Sequence, residues 1–192
     1  DINVQLQTAQ WDVDFTTSNI DACIMIGDNK DETLESWPLF ACELFPVASP
    51  QFIEQHGPFT TPSQLANVPL IQVYPSQQDW AAWLGQNGVE NADADSGLQF
   101  DSYDHALTIT AQGHGVGLGM YPYVAHQLES GELIKLFDGC EVTQPSGWRF
   151  VCRRERRHEP KMRAFYNWLR QQLAHTPGIT LLSDELFSTE PA

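Results

Sequence analysis

Cations are scarce in this chain. Ten Lys and Arg stand against 25 Asp and Glu, a net charge of −15. Residues 1–134 hold one Lys and no Arg against 18 acids, while residues 135–192 hold nine cations against seven acids. Binding to a phosphate backbone rests on neutralising Lys and Arg, so such a surface excludes nucleic acid as a direct partner. The one basic run, "RRERRHEPK" from Arg153 to Lys161, reads as a solvated helix entry facing an acidic body. Long apolar runs are missing as well: none approaches the roughly eighteen residues a membrane span requires, and no basic stretch followed by an apolar one follows Asp1. Nothing argues for secretion or insertion. The four cysteines share no C-x-x-C spacing and no histidine at metal-ligand offsets. Cys23, Cys42 and Cys152 sit in apolar runs, as small core residues do. A reduced, cytoplasmic protein is the expectation.

Catalytic and cofactor signatures are also absent. There is no G-x-S-x-G, no H-E-x-x-H and no Gly-Lys-Ser/Thr. His105, His114 and His126 share no ligand spacing, and the pairs Asp93/Asp95 and Asp101/Asp104 read as caps and solvated positions in so acidic a chain. No catalytic residue, metal or cofactor is therefore expected. The glycine-rich "AQGHGVGLGMYPYV" (111–124) looks like a phosphate cradle, but a dinucleotide fingerprint needs strand, glycines, then helix, and here the helix precedes the glycines. Gly113 is instead expected to stop that helix, with Gly115, Gly117 and Gly119 letting a buried strand approach its neighbours.

What is present is 42% hydrophobic residues, enough for a real core, and a regular exchange of strand and helix patterns. "INVQLQT" alternates as a strand should; "IDACIMIG" and "PLFACELFPVA" are continuous apolar runs of the kind found in buried parallel strands. Two short helices follow, opened by Ser49-Pro50 and Thr61-Pro62. "PLIQV" (69–73) then runs into a helix with a capping-box-like Ser76-x-x-Asp79 and an apolar face of Trp80, Trp83 and Leu84. "GLQF" (97–100) runs likewise into a helix opened by Asp101 or Ser102. A short helix in "YPYVAHQLESG", strands "ELIKLF" and "GWRFVC", and an amphipathic helix with Met162, Phe165, Leu169 and Leu173 on one side complete an α/β chain with a mainly parallel sheet. Ligands in open α/β sheets collect at strand carboxyl ends, where helix amino termini offer free N–H groups. The two junctions place Tyr74, Ser76, Asp101, Ser102 and Tyr103 there.

The order of phrases, "NIDACIMIGD", "LFPVASPQFIEQHGPFTTPSQLANVPLI", "QFDSYDHALTITAQGHGVGLGMYPYVAHQLESGELIKLF", "WRFVCRR" and "MRAFYNWLRQQL", resembles the effector-binding domain of LysR-type transcriptional regulators over about residues 1–174. It looks closest to the branch with the glycine-cleavage activator and the β-lactamase regulator. The resemblance implies a two-lobed fold like that of type 2 periplasmic binding proteins, with two crossover strands and an effector held in the cleft. Lobe I is expected at 1–43 plus 147–175, lobe II at 44–146, and a tail at 176–192. Family cleft contacts carry over to Thr8, Gly27, Asp28, Tyr74, Ser76, Asp101 and Ser102, with Trp148 near the second crossover. The family's amino-terminal winged helix-turn-helix has no counterpart here, and neither does the βα unit that usually opens lobe I.

The resemblance thus implies a bacterial effector sensor, with DNA contacted only through a helix-turn-helix segment, a homodimer or higher homo-oligomer in the full-length protein, and no membrane partner. No Lys or Arg stands among the eight positions, which favours a neutral or zwitterionic small molecule over a dianion. A transport-type solute-binding protein of the same fold is the alternative; an enzyme would need a nucleophile or base with a partner, which the sequence does not offer.

Overall fold

The computed structural model describes residues 2–9, 13–28, 30–74, 76, 78–93 and 97–183. It divides into two compact units, Asp1–Cys42 with Gln144–Ala192, and Glu43–Thr143. Two long strands, β2 (Leu34–Ala48) and β7 (Val142–Arg153), supply residues to both.

In the first unit β1 (Ala22–Ile26) pairs antiparallel with β7, Ala22 opposite Cys152 and Ile26 opposite Trp148, in the order β1-β7-β2. Helix α5 (Pro160–Ala174), with Pro160 in its first turn, buries Met162 and Tyr166 against Trp37, Leu39, Phe40, Phe150 and Cys152. Trp37 stacks on Phe150 at 5.6 Å, and the Tyr166 hydroxyl donates to the Pro38 carbonyl at 2.8 Å. The basic run is satisfied locally: Arg156 pairs with Asp21 and Glu159, and Arg154 and Arg157 share Glu35.

Three expectations change in this unit. The "IDACIMIG" strand is antiparallel to its neighbour and leaves Ile24 and Ile26 exposed; an apolar run identifies a strand without fixing its direction, and the partner comes from the far end of the chain. "INVQLQT" forms no strand. Its apolar positions Ile2, Val4 and Leu6 are 47%, 50% and 84% exposed, and no ladder partner reaches them among the described residues; alternation becomes a strand only beside another strand. Within the stretch expected as a tail, residues 179–182 run along β2. Ala41 N–H donates to Thr180 O at 2.8 Å and Leu182 N–H to Leu39 O at 3.0 Å, while Ile179 and Leu181 pack on the core.

In the second unit the end of β2 pairs antiparallel with β5 (Gly117–Met120) and β6 (Ile134–Lys135). Helix α1 (Pro50–His56) starts as expected, with the Ser49 hydroxyl accepting from Phe52 N–H at 3.2 Å; Pro62–Asn67 is a 3-10 turn rather than an α-helix. Strands β3 (Gln72–Val73) and β4 (Gln99–Phe100) pair in parallel, and helices α2 (Gln78–Gln86) and α3 (Tyr103–Ala111) follow them; α4 (Ala125–Ser130) comes later. Trp80 and Trp83 anchor α2 and donate through their indoles to Ile71 O at 2.8 Å and Cys140 O at 2.7 Å. The glycine stretch behaves as a backbone device. Gly113 has φ 83° just past α3, and a Cβ on Gly117 would lie 2.4 Å from Thr110 Oγ1, so β5 fits against α3 only with glycine there.

Candidate functional site

The eight expected positions fall into two sets, one in each unit. In the second unit, the Tyr74 N–H donates to Phe100 O at 2.7 Å, so the carboxyl ends of β3 and β4 lie side by side. The chain leaves β3 through Tyr74, half exposed, and Ser76, whose carbonyl accepts from Asp79 N–H at 3.1 Å at the start of α2. It leaves β4 through Asp101 and Ser102. Ser102 adopts extended backbone and its hydroxyl oxygen accepts from His105 N–H at 3.3 Å, which caps α3 and leaves the hydroxyl proton free to be donated. The exposed Asp101 carboxylate lies 3.3 Å from His105 Nδ1. Two adjacent helix starts with N–H groups, two serines and one carboxylate form a polar ledge suited to hydrogen-bonding a small polar molecule.

Behind the ledge is a constellation that sequence reading did not assemble. The Tyr103 hydroxyl donates to Asp79, tying the start of α3 to the start of α2, and Tyr103 stacks on Tyr123 with ring centroids 6.0 Å apart. Burial pushes the Asp79 carboxyl above the ordinary carboxylate range, against the opposing effect of the Tyr103 bond. Burial also raises Tyr123, and the Asp104 charge adds to it. The signal available in advance was a carboxylate and an aromatic hydroxyl at matching places after two strand ends.

In the first unit Gly27 closes β1 in a left-handed turn, φ 104°, with open space where a side chain would project, and its N–H donates to Gly147 O at 3.1 Å. Asp28 follows. Its carboxylate accepts from Ser146 Oγ at 2.9 Å and lies 3.9 Å from Arg149 Nη1. Arg149 is itself held by Ser36, Nε to Oγ at 2.6 Å and Nη2 to the carbonyl at 3.3 Å. Neither Ser146 nor Arg149 stood among the expected positions, because strand alternation shows only that Arg149 faces away from Trp148 and Phe150, not what it meets. Trp148 packs on the core, stacked with Phe40 at 5.7 Å, and Thr8 lies exposed in the irregular stretch 2–9. A recess of about 920 Å³ opens elsewhere in this unit, lined by Val13, Phe15, Thr33, Leu34, Arg153 and Arg157 among others, and includes none of the eight.

The family model of the LysR substrate binding domain matches residues 1–174. The chain belongs to this family. It is an effector-binding domain of the LysR type, with the α/β fold of type 2 periplasmic binding proteins. Among curated relatives, the transcriptional regulator DsdC of Escherichia coli K12 is 29% identical over 182 residues, 91% of this chain and 58% of that protein. The glycine cleavage system transcriptional activator of the same strain is 26% identical over 168 residues, 88% and 54%. The chain thus spans somewhat more than half the length of these relatives. Among solved structures, the effector domain of the transcriptional regulator AmpR of Pseudomonas aeruginosa superposes with a TM-score of 0.75 at 25% identity, covering 88% of this chain and 80% of that one. These relatives are regulators of transcription, not transport proteins. No helix among the described residues is long and apolar enough to cross a membrane.

Proposed function

We propose that this LysR effector domain binds a neutral or zwitterionic small molecule. Through it, the domain controls DNA binding by a helix-turn-helix segment of the full-length regulator, which acts as a cytoplasmic homo-oligomer. The observation that carries the reading is the ledge at β3 and β4: two parallel strand ends in contact, each followed by a helix start, with Ser102 capping α3 and an exposed carboxylate at Asp101. An effector that prefers one of two states of the domain shifts their populations by its differential affinity, and no other coupling is needed. Within the Glu43–Thr143 unit the proposed contacts are Tyr74, Ser76, Asp101 and Ser102; within the other unit Gly27 and Asp28 are proposed by themselves, with Thr8 and Trp148 as the remaining family positions.

Asp28 and Asp101 each repel a dianion in their own unit and the eight positions contain no cation, which favours an effector without excess negative charge. Titration calorimetry with a panel of amino acids, polyols and dicarboxylates tests it. The expected result is binding of a neutral or zwitterionic compound, weakened by Ser102→Ala and by Asp101→Ala. Tight dicarboxylate binding that Asp101→Ala leaves unchanged defeats the charge argument.

A further inference from the structure

Resting on that reading, we infer that Arg149 and Asp28 together form a head-group site for an α-amino acid, Arg149 taking the carboxylate and Asp28 the ammonium. Before residue 153 the chain has only three cations, Lys30, Lys135 and Arg149. Lys135 is engaged by Glu141 and lies over the Phe45 ring. Arg149 is different. One edge of its guanidinium is fixed by Ser36, through Nε at 2.6 Å and Nη2 at 3.3 Å, so the group is held at a set position with little freedom left to lose. Its Nη1 faces Asp28 across 3.9 Å, beyond hydrogen-bonding distance.

The partner carboxylate is two-thirds exposed, while Arg149 is only one-fifth exposed. An ion pair this long and this open contributes little to stability, and its members stay available to a third party. Ser146 fixes one Asp28 oxygen at 2.9 Å and leaves the other toward Arg149. Beside them Gly27 leaves open space where any other residue would put a side chain. A pre-positioned guanidinium next to a pre-positioned carboxylate matches a molecule whose opposite charges sit on one carbon. A carboxylic acid satisfies the arginine but repels Asp28; an amine does the reverse.

The experiment is calorimetry and thermal shift on the 192-residue chain with glycine, both enantiomers of serine, propionate, ethylamine and succinate. An α-amino acid is expected to bind, with propionate and ethylamine at least about tenfold weaker because each loses one charge-assisted contact. Arg149→Gln and Asp28→Asn should each weaken amino-acid binding by about tenfold or more, Arg149→Lys should recover part of the loss, and Arg153→Gln should leave it unchanged. Asp28→Asn acts on an exposed side chain, so it gives a folded variant, judged by circular dichroism, even where Arg149→Gln destabilises the strand. The inference is overturned if succinate or propionate binds as well as the amino acids, if both substitutions leave amino-acid affinity intact, or if no amino acid binds. In the last case, stabilisation by another compound that Ser102→Ala abolishes leaves the sensing function standing and removes only the amino-acid assignment; no binding by any compound removes both.

Discussion

Asp79 has the ordinary carboxyl value of 3.8 in an unfolded chain and a raised one when folded, with burial as the main cause and the Tyr103 bond opposing it. A raised folded value means the folded chain holds the proton more tightly. The stabilisation from this group is therefore complete below about pH 3.8 and is lost as pH rises through the folded value. Asp79→Asn keeps a hydrogen-bonding group and removes the titration. Thermal unfolding followed between pH 4 and 7 should show the variant gaining on the parent as pH rises; a constant difference overturns the assignment. The thiols offer a second check. Cys42 and Cys152 are buried, and burial pushes the Cys152 thiol up to about 11, whereas Cys23 and Cys140 are half buried. A thiolate is the reactive form, so a disulfide reagent should modify Cys23 and Cys140 in the folded chain and reach Cys42 and Cys152 only after denaturant is added.

At the scale of elements, α3 and β5 are fitted to each other by two small features. Ser102→Ala removes the cap of α3 and should lower stability by about 1 kcal/mol in urea unfolding. Gly117→Ala drives a methyl group into Thr110 Oγ1 in a fully buried strand, and a loss of about 1–3 kcal/mol is expected. Both features were legible in the sequence: the serine start and the glycine strand follow from local backbone chemistry, as does the stop at Gly113. So were α1, α2 and α5: the Ser49 cap of α1 and the apolar faces of α2 and α5 are set by near neighbours. Strand direction, the irregular 2–9 stretch and the return of residues 179–182 were not, because each depends on a partner distant in sequence. The site divides the same way. The placement of Ser76, Asp101 and Ser102 was readable because strand-to-helix junctions are local, while Arg149 with Asp28 and Tyr103 with Asp79 come together only through pairing of remote segments.

For the whole molecule, charge and chain closure decide behaviour. The −15 chain has its basic run engaged by Asp21, Glu35 and Glu159, so residues 1–192 alone should show no DNA binding in fluorescence anisotropy at physiological salt. Ending the chain after Gly178 removes the Thr180 and Leu182 bonds to β2 and the packing of Ile179 and Leu181. A loss of about 2 kcal/mol is expected from the buried apolar area alone, read as a lower midpoint in denaturant. The same closing segment has a bearing on biosynthesis. The unit formed by Glu43–Thr143 is continuous in sequence and can fold while the ribosome is still translating, but the other unit needs β7, α5 and finally residues 179–182, all translated after it. Its core is completed after that of the other unit, so during synthesis Trp37, Leu39 and Phe40 wait without their partners, and a pause or truncation before residue 179 leaves that core exposed to chaperones and proteases.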